Sequence, residues 1–105
     1  MYKPLPENLR LGFSKIHDIG LFAKEAIPKG TNFGMSHIQI SGTLIRTPLG
    51  GFINHKEDPN CEKVKLYFTN EDKQTAYNFS KWNLMTIQDI KEGEELTLKY
   101  TFYKV

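Results

Sequence analysis

No stretch of ten residues in this chain carries its apolar side chains at the 3.6-residue spacing of a helix. Short runs of alternating apolar and polar residues take its place, each closed off by glycine, proline or a polar cluster. FGMSHIQISGTLI, residues 33–45, alternates with β-branched residues at Ile38 and Ile40 and is bounded by Gly34 and Gly42. KVKLYF, residues 63–68, puts Val64, Leu66 and Phe68 on one face; the polar TNEDKQ follows, and then TAYNFSKWNLMTI, which together predict a hairpin. Prolines at 4 and 6 disfavour an N-terminal helix and make residues 1–9 an extended lead-in. The fold class expected is therefore mainly β, with at most short helical turns.

Two segments share one design. KEAIPKGT, residues 24–31, places an Ile before a Lys and a Gly turn, and QDIKEGEEL, residues 88–96, does the same before the extended ELTLKYTFY. Beyond this echo the sequence shows no repeat, linker or low-complexity tract. Between them, FINHKEDPNC, residues 52–61, sets two apolar residues directly before an Asn-His pair and a Pro-Asn turn, an anchor that a mere connection could do without. Phe52 and Ile53 are expected to be buried.

At 105 residues the chain is one domain, enough for a single modest core. Its 39% hydrophobic and 25% charged residues are ordinary for a globular protein and argue against disorder. A net charge of +2 without a run of Lys or Arg gives no basic patch, so direct nucleic-acid binding is not expected. The single Cys61 cannot form an intramolecular disulfide, and with three scattered histidines it makes no structural metal site, so no metal is expected. His17 and His37 lack a partner pattern and read as surface residues. No apolar run approaches the roughly eighteen residues of a membrane span, and the first thirteen residues lack a signal-peptide core. These features point to a soluble, intracellular protein without membrane contact.

Three segments in order resemble the SET-domain family of protein lysine methyltransferases. They are HDIGLFAKEAIPKGT at residues 17–31, FINHKEDPNC with its Asn-His and Pro-Asn pairs, and IKEGEELTLKY at residues 90–100. Together they span roughly residues 14–103, and the short interval between the first two is similar to the minimal SET proteins of some large viruses. The resemblance implies a single SET-like domain over residues 1–105, without an extension after it. Its fold would be a β-clip of several small sheets whose C-terminal segment tucks under a loop as a pseudoknot. It also implies methyl transfer from S-adenosylmethionine, leaving S-adenosylhomocysteine, to a lysine of a protein substrate. An intracellular site, cytoplasmic or host-cell nuclear, goes with that activity.

Residue by residue, the resemblance implies that Gly20, Leu21 and Phe22 let the backbone approach the cofactor and that Asn54 and His55 hydrogen-bond it. Read without the family, Gly20 is a bulge or turn glycine and the Asn-His pair a loop that bonds its own backbone. Asp18 stands where the family has its first glycine, and an Asp tolerates positive φ better than most residues. Tyr100 aligns with the tyrosine that positions the methyl and the target amine; alone, it reads as a core aromatic whose hydroxyl finds a partner. Leu98, Phe102 and Tyr103 would line the substrate channel. A branched aliphatic at Leu98 leaves no hydroxyl to hold water and favours addition of more than one methyl. Tyr77, Phe79 and Trp82 read mainly as core. Glu94, Glu95 and Thr97 read as supports of the pseudoknot, and Pro59 and Asn60 as residues that shape and pin their turn. A homodimer would complete the channel, though nothing in the sequence demands one. The other reading is a SET-like module that binds a partner or the cofactor without turnover, motivated by Asp18 and by the short segment between residues 34 and 50.

Overall fold

The computed structural model describes residues 4–66 and 79–100, with the backbone alone at Phe79. Along the described chain run β1 (Leu9–Phe13), β2 (Ile19–Ala23), β3 (Asn32–Ile40), β4 (Thr43–Arg46), α1 (Pro48–Phe52), β5 (Asn54–His55), β6 (Cys61–Leu66), β7 (Phe79–Thr86) and β8 (Glu95–Leu98). The expected mainly β fold with one short helical turn is what forms. The expected hairpin is present as the antiparallel pair β6–β7, Cys61 facing Thr86 and Leu66 facing Lys81; Phe68, TNEDKQ and Tyr77 lie outside the described residues.

Strands pair in the order β1-β2-β8-β6-β7-β3-β4, with β5 beside β8. β8 is the joint of this array. It runs antiparallel to β2 through Leu21–Leu96 and Phe22–Glu95, and parallel to β5 through Asn54–Thr97 and His55–Leu98. It meets β6 at the single pair Cys61–Leu98. The array therefore behaves as small sheets joined at one strand, the β-clip arrangement.

Turn chemistry explains the local geometry. Ser41 and Gly42, between β3 and β4, both have positive φ, 50° and 83°, as a two-residue hairpin turn matched to strand twist requires. Gly34, expected as a boundary, instead lies inside β3 at φ 96°, where the pairing with β7 shifts register between Asn32 and Gly34; it is a bulge glycine. A second shift lies between Met35 and His37.

The two Ile–Gly segments that share a design also pair with each other. Ile27 and Ile90 exchange both backbone hydrogen bonds at 2.8 Å. Gly30 N–H donates to Thr86 O (3.0 Å), as Gly93 N–H donates to Ala23 O (2.8 Å), and Thr86 N–H reaches Thr31 O as Ala23 N–H reaches Glu94 O. Each of these residues sits at the same offset from its isoleucine, so β2–turn–β3 and β7–turn–β8 are related by a local two-fold axis through the Ile27–Ile90 bridge. Both isoleucines are buried, and with Leu21, Leu84, Leu96 and Ile53 they form the centre of the core.

Two further expectations are corrected by the fold. Ile53 is buried at 1% exposure but Phe52 remains 40% exposed: Phe52 ends α1 and Ile53 leaves it extended, so the two side chains do not share a direction. His37 is not a surface residue; it is 3% exposed. It lies under α1, where a Cβ on Gly50 would come within 3.0 Å of its ring, and its Nδ1 is 2.8 Å from Ser36 Oγ.

Candidate active site

The β1–β2 connection, residues 14–18, closes through Ser14 N–H to Asp18 O at 2.8 Å, and Asp18 takes the left-handed conformation at φ 35°. The turn therefore forms with an aspartate at the left-handed position, whose short polar side chain tolerates that region. Ser14 Oγ organises the loop from inside, accepting from the N–H of Ile16 (2.9 Å) and of His17 (3.3 Å). His17 itself is exposed, 3.6 Å from the Asp18 carboxylate.

Asn54 ties three separated segments together. Its Nδ2 lies within hydrogen-bond distance of Ser14 Oγ (3.1 Å), His17 O (3.0 Å), Ile19 O (3.2 Å) and Glu95 Oε2 (2.9 Å). Two N–H groups are thus shared among four acceptors in a residue only 7% exposed. Glu95 also receives the Ser14 hydroxyl, 2.8 Å from each carboxylate oxygen. Gly20 is the opening that admits this cluster: a Cβ there would collide with the Glu95 carboxylate and press on Asn54 Nδ2 at 3.0 Å. Leu21, next in the strand, has its side chain fully buried against Leu96, so it can meet a ligand only through its backbone. Phe22 is half-buried with the Arg10 guanidinium 5.1 Å above its ring.

His55 and Tyr100 form a second cluster beside the first. Tyr100 N–H donates to His55 Nδ1 at 2.9 Å, and Tyr100 O–H donates to Ile53 O at 2.6 Å. The two rings stand 5.1 Å apart at 56°. Because Nδ1 accepts, the neutral imidazole carries its proton on Nε2, which faces Glu57 Oε1 at 3.2 Å. Glu57 is exposed, and the hydrogen bond from His55, joined by the Lys99 ammonium 3.4 Å away, holds its carboxyl below the usual range.

Asn60 works on the backbone of β8. Its Oδ1 accepts from Thr97 N–H (2.8 Å) and its Nδ2 donates to Glu95 O (2.9 Å), while Thr97 Oγ1 accepts from Asn60 N–H. The pinning role read from the Pro-Asn turn is thus exerted on the C-terminal strand. Leu98 is 3% exposed and, with Cys61, Pro59 and Ile87, lines a small depression whose rim carries Lys63 and Lys99. Cys61 is buried, which pushes its thiol up to about 12. Among the described residues no group of His, Cys, Asp and Glu is placed to hold a metal ion. Phe102 and Tyr103 lie outside the described residues, as does the side chain of Phe79.

The structure therefore brings Gly20, Asn54, His55 and Tyr100 into adjoining clusters, and it adds Ser14 and Glu95. Glu95 was read as a support; the signal for more was Gly20, a residue without a side chain in an apolar strand. Nothing in the sequence marks Ser14.

The family model for the SET domain matches residues 35–101. The chain belongs to the SET-domain family. Solved structures agree in fold. A Plasmodium falciparum protein named as a candidate histone methyltransferase superposes with a TM-score of 0.70 at 14% identity, over 94% of this chain and 97% of that one. The Neurospora SET-domain protein DIM-5, a histone lysine methyltransferase, gives 0.67 at 18% identity, over 92% of this chain and 53% of that one. The Chaetomium thermophilum Polycomb Repressive Complex 2, in a humanized mutant bound to the inhibitor GSK126, gives 0.66 at 23%, over 89% of this chain and 15% of that one. At such identities the likeness is one of fold, here the fold of lysine methyltransferases. A curated protein of Hyphomonas neptunium, 28% identical over 93 residues covering 89% of this chain and 72% of its own, carries the name fluoride-specific ion channel FluC. No helix among the described residues is long and apolar enough to cross a membrane.

Proposed function

We propose that this SET domain transfers a methyl group from S-adenosylmethionine to the side-chain amine of a lysine in a protein substrate. The observation that carries the reading is the convergence on β5: Asn54 gathers the 14–19 loop and Glu95, while its neighbour His55 holds Tyr100. The set of acceptors suits the amino-acid end of this cofactor. Two backbone carbonyls, the Asn54 amide and the Glu95 carboxylate concentrate acceptors where an ammonium group would be received. Gly20, Asn54 and His55 would hold the cofactor, with Leu21 and Phe22 contributing backbone. When bound, it supplies a methyl activated by the adjacent sulfonium.

The chain's own residues then have a positioning task, because in-line displacement needs the amine and the methyl aligned at about 3 to 3.5 Å. Tyr100 is suited to it. With its proton given to Ile53 O, the hydroxyl oxygen meets a partner as an acceptor, able to receive an amine N–H or a polarised C–H. A lysine amine, whose free pKa is about 10.4, loses its proton more readily in an apolar channel beside a positive charge. Leu98 supplies apolar surface there, consistent with more than one methyl being added, and Phe102 and Tyr103 are the further channel residues in this reading. The neighbours named for histone methylation support a protein lysine as the acceptor. The setting is intracellular, and two copies associating would complete the channel.

Titration calorimetry with S-adenosylmethionine is the first test, and absence of binding at millimolar cofactor would sink the proposal. Radiolabelled methyl transfer to lysine-containing proteins is the second. Tyr100→Phe should lower the rate at least tenfold, the effect of losing one aligned contact worth about 1.4 kcal/mol. An unchanged rate would remove Tyr100 from the role. Binding without transfer to any protein would favour the non-catalytic module, whose support is that Asn54 already spends its amide on this chain's own acceptors.

A further inference from the structure

Tyr100 is fixed at both ends, and the two anchors differ in kind. Its hydroxyl donates to a backbone carbonyl, which does not titrate. Its backbone N–H donates to His55 Nδ1, which does. An imidazolium carries protons on both nitrogens, so a protonated His55 would turn a donor toward the Tyr100 N–H and the bond would be lost. The neutral ring with Nδ1 bare is the form the tyrosine needs. In that form Nε2–H points outward and is met by Glu57 Oε1 at 3.2 Å. Among the described residues, the ion pairs at the ring are with Glu57 at 3.2 Å and, through it, Lys99 at 3.4 Å from Glu57 Oε2. His55 is only 20% exposed at its side chain, so few alternatives to these partners are open to it.

We propose that Glu57 is a positioning residue that acts through His55: it fixes the ring with Nε2–H outward, so that Nδ1 holds the backbone of Tyr100, and release of this anchor on His55 protonation sets an acid limit on the reaction. The inference rests on the methyl-transfer reading for its purpose, but the linkage itself is a property of the resting chain. Glu57 pulls in two directions. As an acceptor it orients the useful tautomer; as a carboxylate it favours the imidazolium that breaks the anchor. A glutamine separates the two effects, since it keeps an acceptor and removes the charge.

The test is nuclear magnetic resonance on the ¹⁵N-labelled full chain between about pH 5 and 8, following the His55 ring nitrogens and the Tyr100 amide in the wild type, Glu57→Gln and Glu57→Ala. Expected at the upper end is a bare Nδ1 with a protonated Nε2. On acidification the Tyr100 amide should shift with the same midpoint as the ring. In Glu57→Gln that common midpoint should move down, because the carboxylate that favours the imidazolium is gone. In Glu57→Ala the Tyr100 amide should exchange about fivefold faster at neutral pH than in the wild type, with Gln restoring it. Because Glu57 is exposed, all three chains should fold. A Tyr100 amide indifferent to the His55 titration, or a midpoint identical in wild type and Glu57→Gln, overturns the proposal. The acid limb of kcat should track the same midpoints. If no methyl transfer is found in any of the three, the methyl-transfer reading fails while coupled titration still supports the Glu57–His55–Tyr100 linkage.

Discussion

Gly20→Ala tests whether the glycine of the first motif serves the chain itself or an incoming ligand. A Cβ at this position would collide with the Glu95 carboxylate and meet Asn54 Nδ2 at 3.0 Å. The carboxylate is the far end of a flexible side chain, so the collision resolves by Glu95 swinging away. That move gives up the Ser14 hydroxyl and the Asn54 amide, two hydrogen bonds to a charged group in a half-buried setting. Each is worth at most about 1.5 to 3 kcal/mol, and partial exposure brings the pair to about 2 to 3 kcal/mol, a large share of the roughly 5 to 15 kcal/mol that holds a domain together. Glu95→Ala removes the same two bonds and should cost about as much. The double variant loses them only once. Urea unfolding of the four proteins should therefore show the double variant close to either single one, with a coupling of about 2 kcal/mol. Effects that add to within roughly 0.5 kcal/mol would refute the steric account. If Gly20→Ala unfolds like the wild type but binds S-adenosylmethionine at least tenfold more weakly, the open space at Gly20 belongs to the cofactor.

Two further predictions concern buried groups away from the proposed chemistry. Burial first, then the nearby charges of Lys63 and Arg46, pulls His37 down from 6.5 to about 4. A folded pKa below the unfolded one means that the unfolded chain takes up the proton first, so stability falls as pH drops from about 6.5 toward 4, by up to about 3 kcal/mol. The urea midpoint of the wild type should drop more steeply over that range than that of His37→Gln, and parallel profiles would show that His37 is not the group responsible. Cys61, buried with its thiol pushed up to about 12, should resist thiol reagents in the native chain at pH 8 and react once urea unfolds it; rapid native labelling would contradict its burial.

Local signals were legible where one residue decides the backbone. The β6–β7 hairpin follows from alternation around a polar reversal, and positive φ at Asp18 follows from what an aspartate tolerates. His37 was not legible. Strict alternation cannot bury Ser36 and His37 together, yet both are buried because the register shifts between Met35 and His37 and α1 covers the result. That helix holds Pro48 and two glycines in five residues, too few for any periodicity to show. Phe52 was misread for a related reason: an apolar pair before Asn54 looks like one anchor, but a helix end divides it. The Ser14–Glu95 contact spans 81 residues and has no local sequence signature, so only the folded chain reveals it.

The local two-fold through Ile27 and Ile90 explains why the candidate site lies where it does. Each half is a strand, a glycine turn and a returning strand, and the axis relates the β2–β8 pair to the β7–β3 pair. The halves differ in the partners of their returning strands. After β3 the chain turns through Ser41 and Gly42 into another antiparallel strand, β4, and remains in the sheet. The returning strand β8 has β5 and β6 as parallel partners instead, a pairing that needs a long crossover connection, and it carries Glu95 to Asn54 and Tyr100 to His55. The candidate site thus lies in the half in which the symmetry is broken. It follows that substitutions at Asn54, Asn60 or Thr97 loosen the same strand that positions Tyr100, and a lost activity there can be assigned to chemistry only when the unfolding free energy of the variant is unchanged.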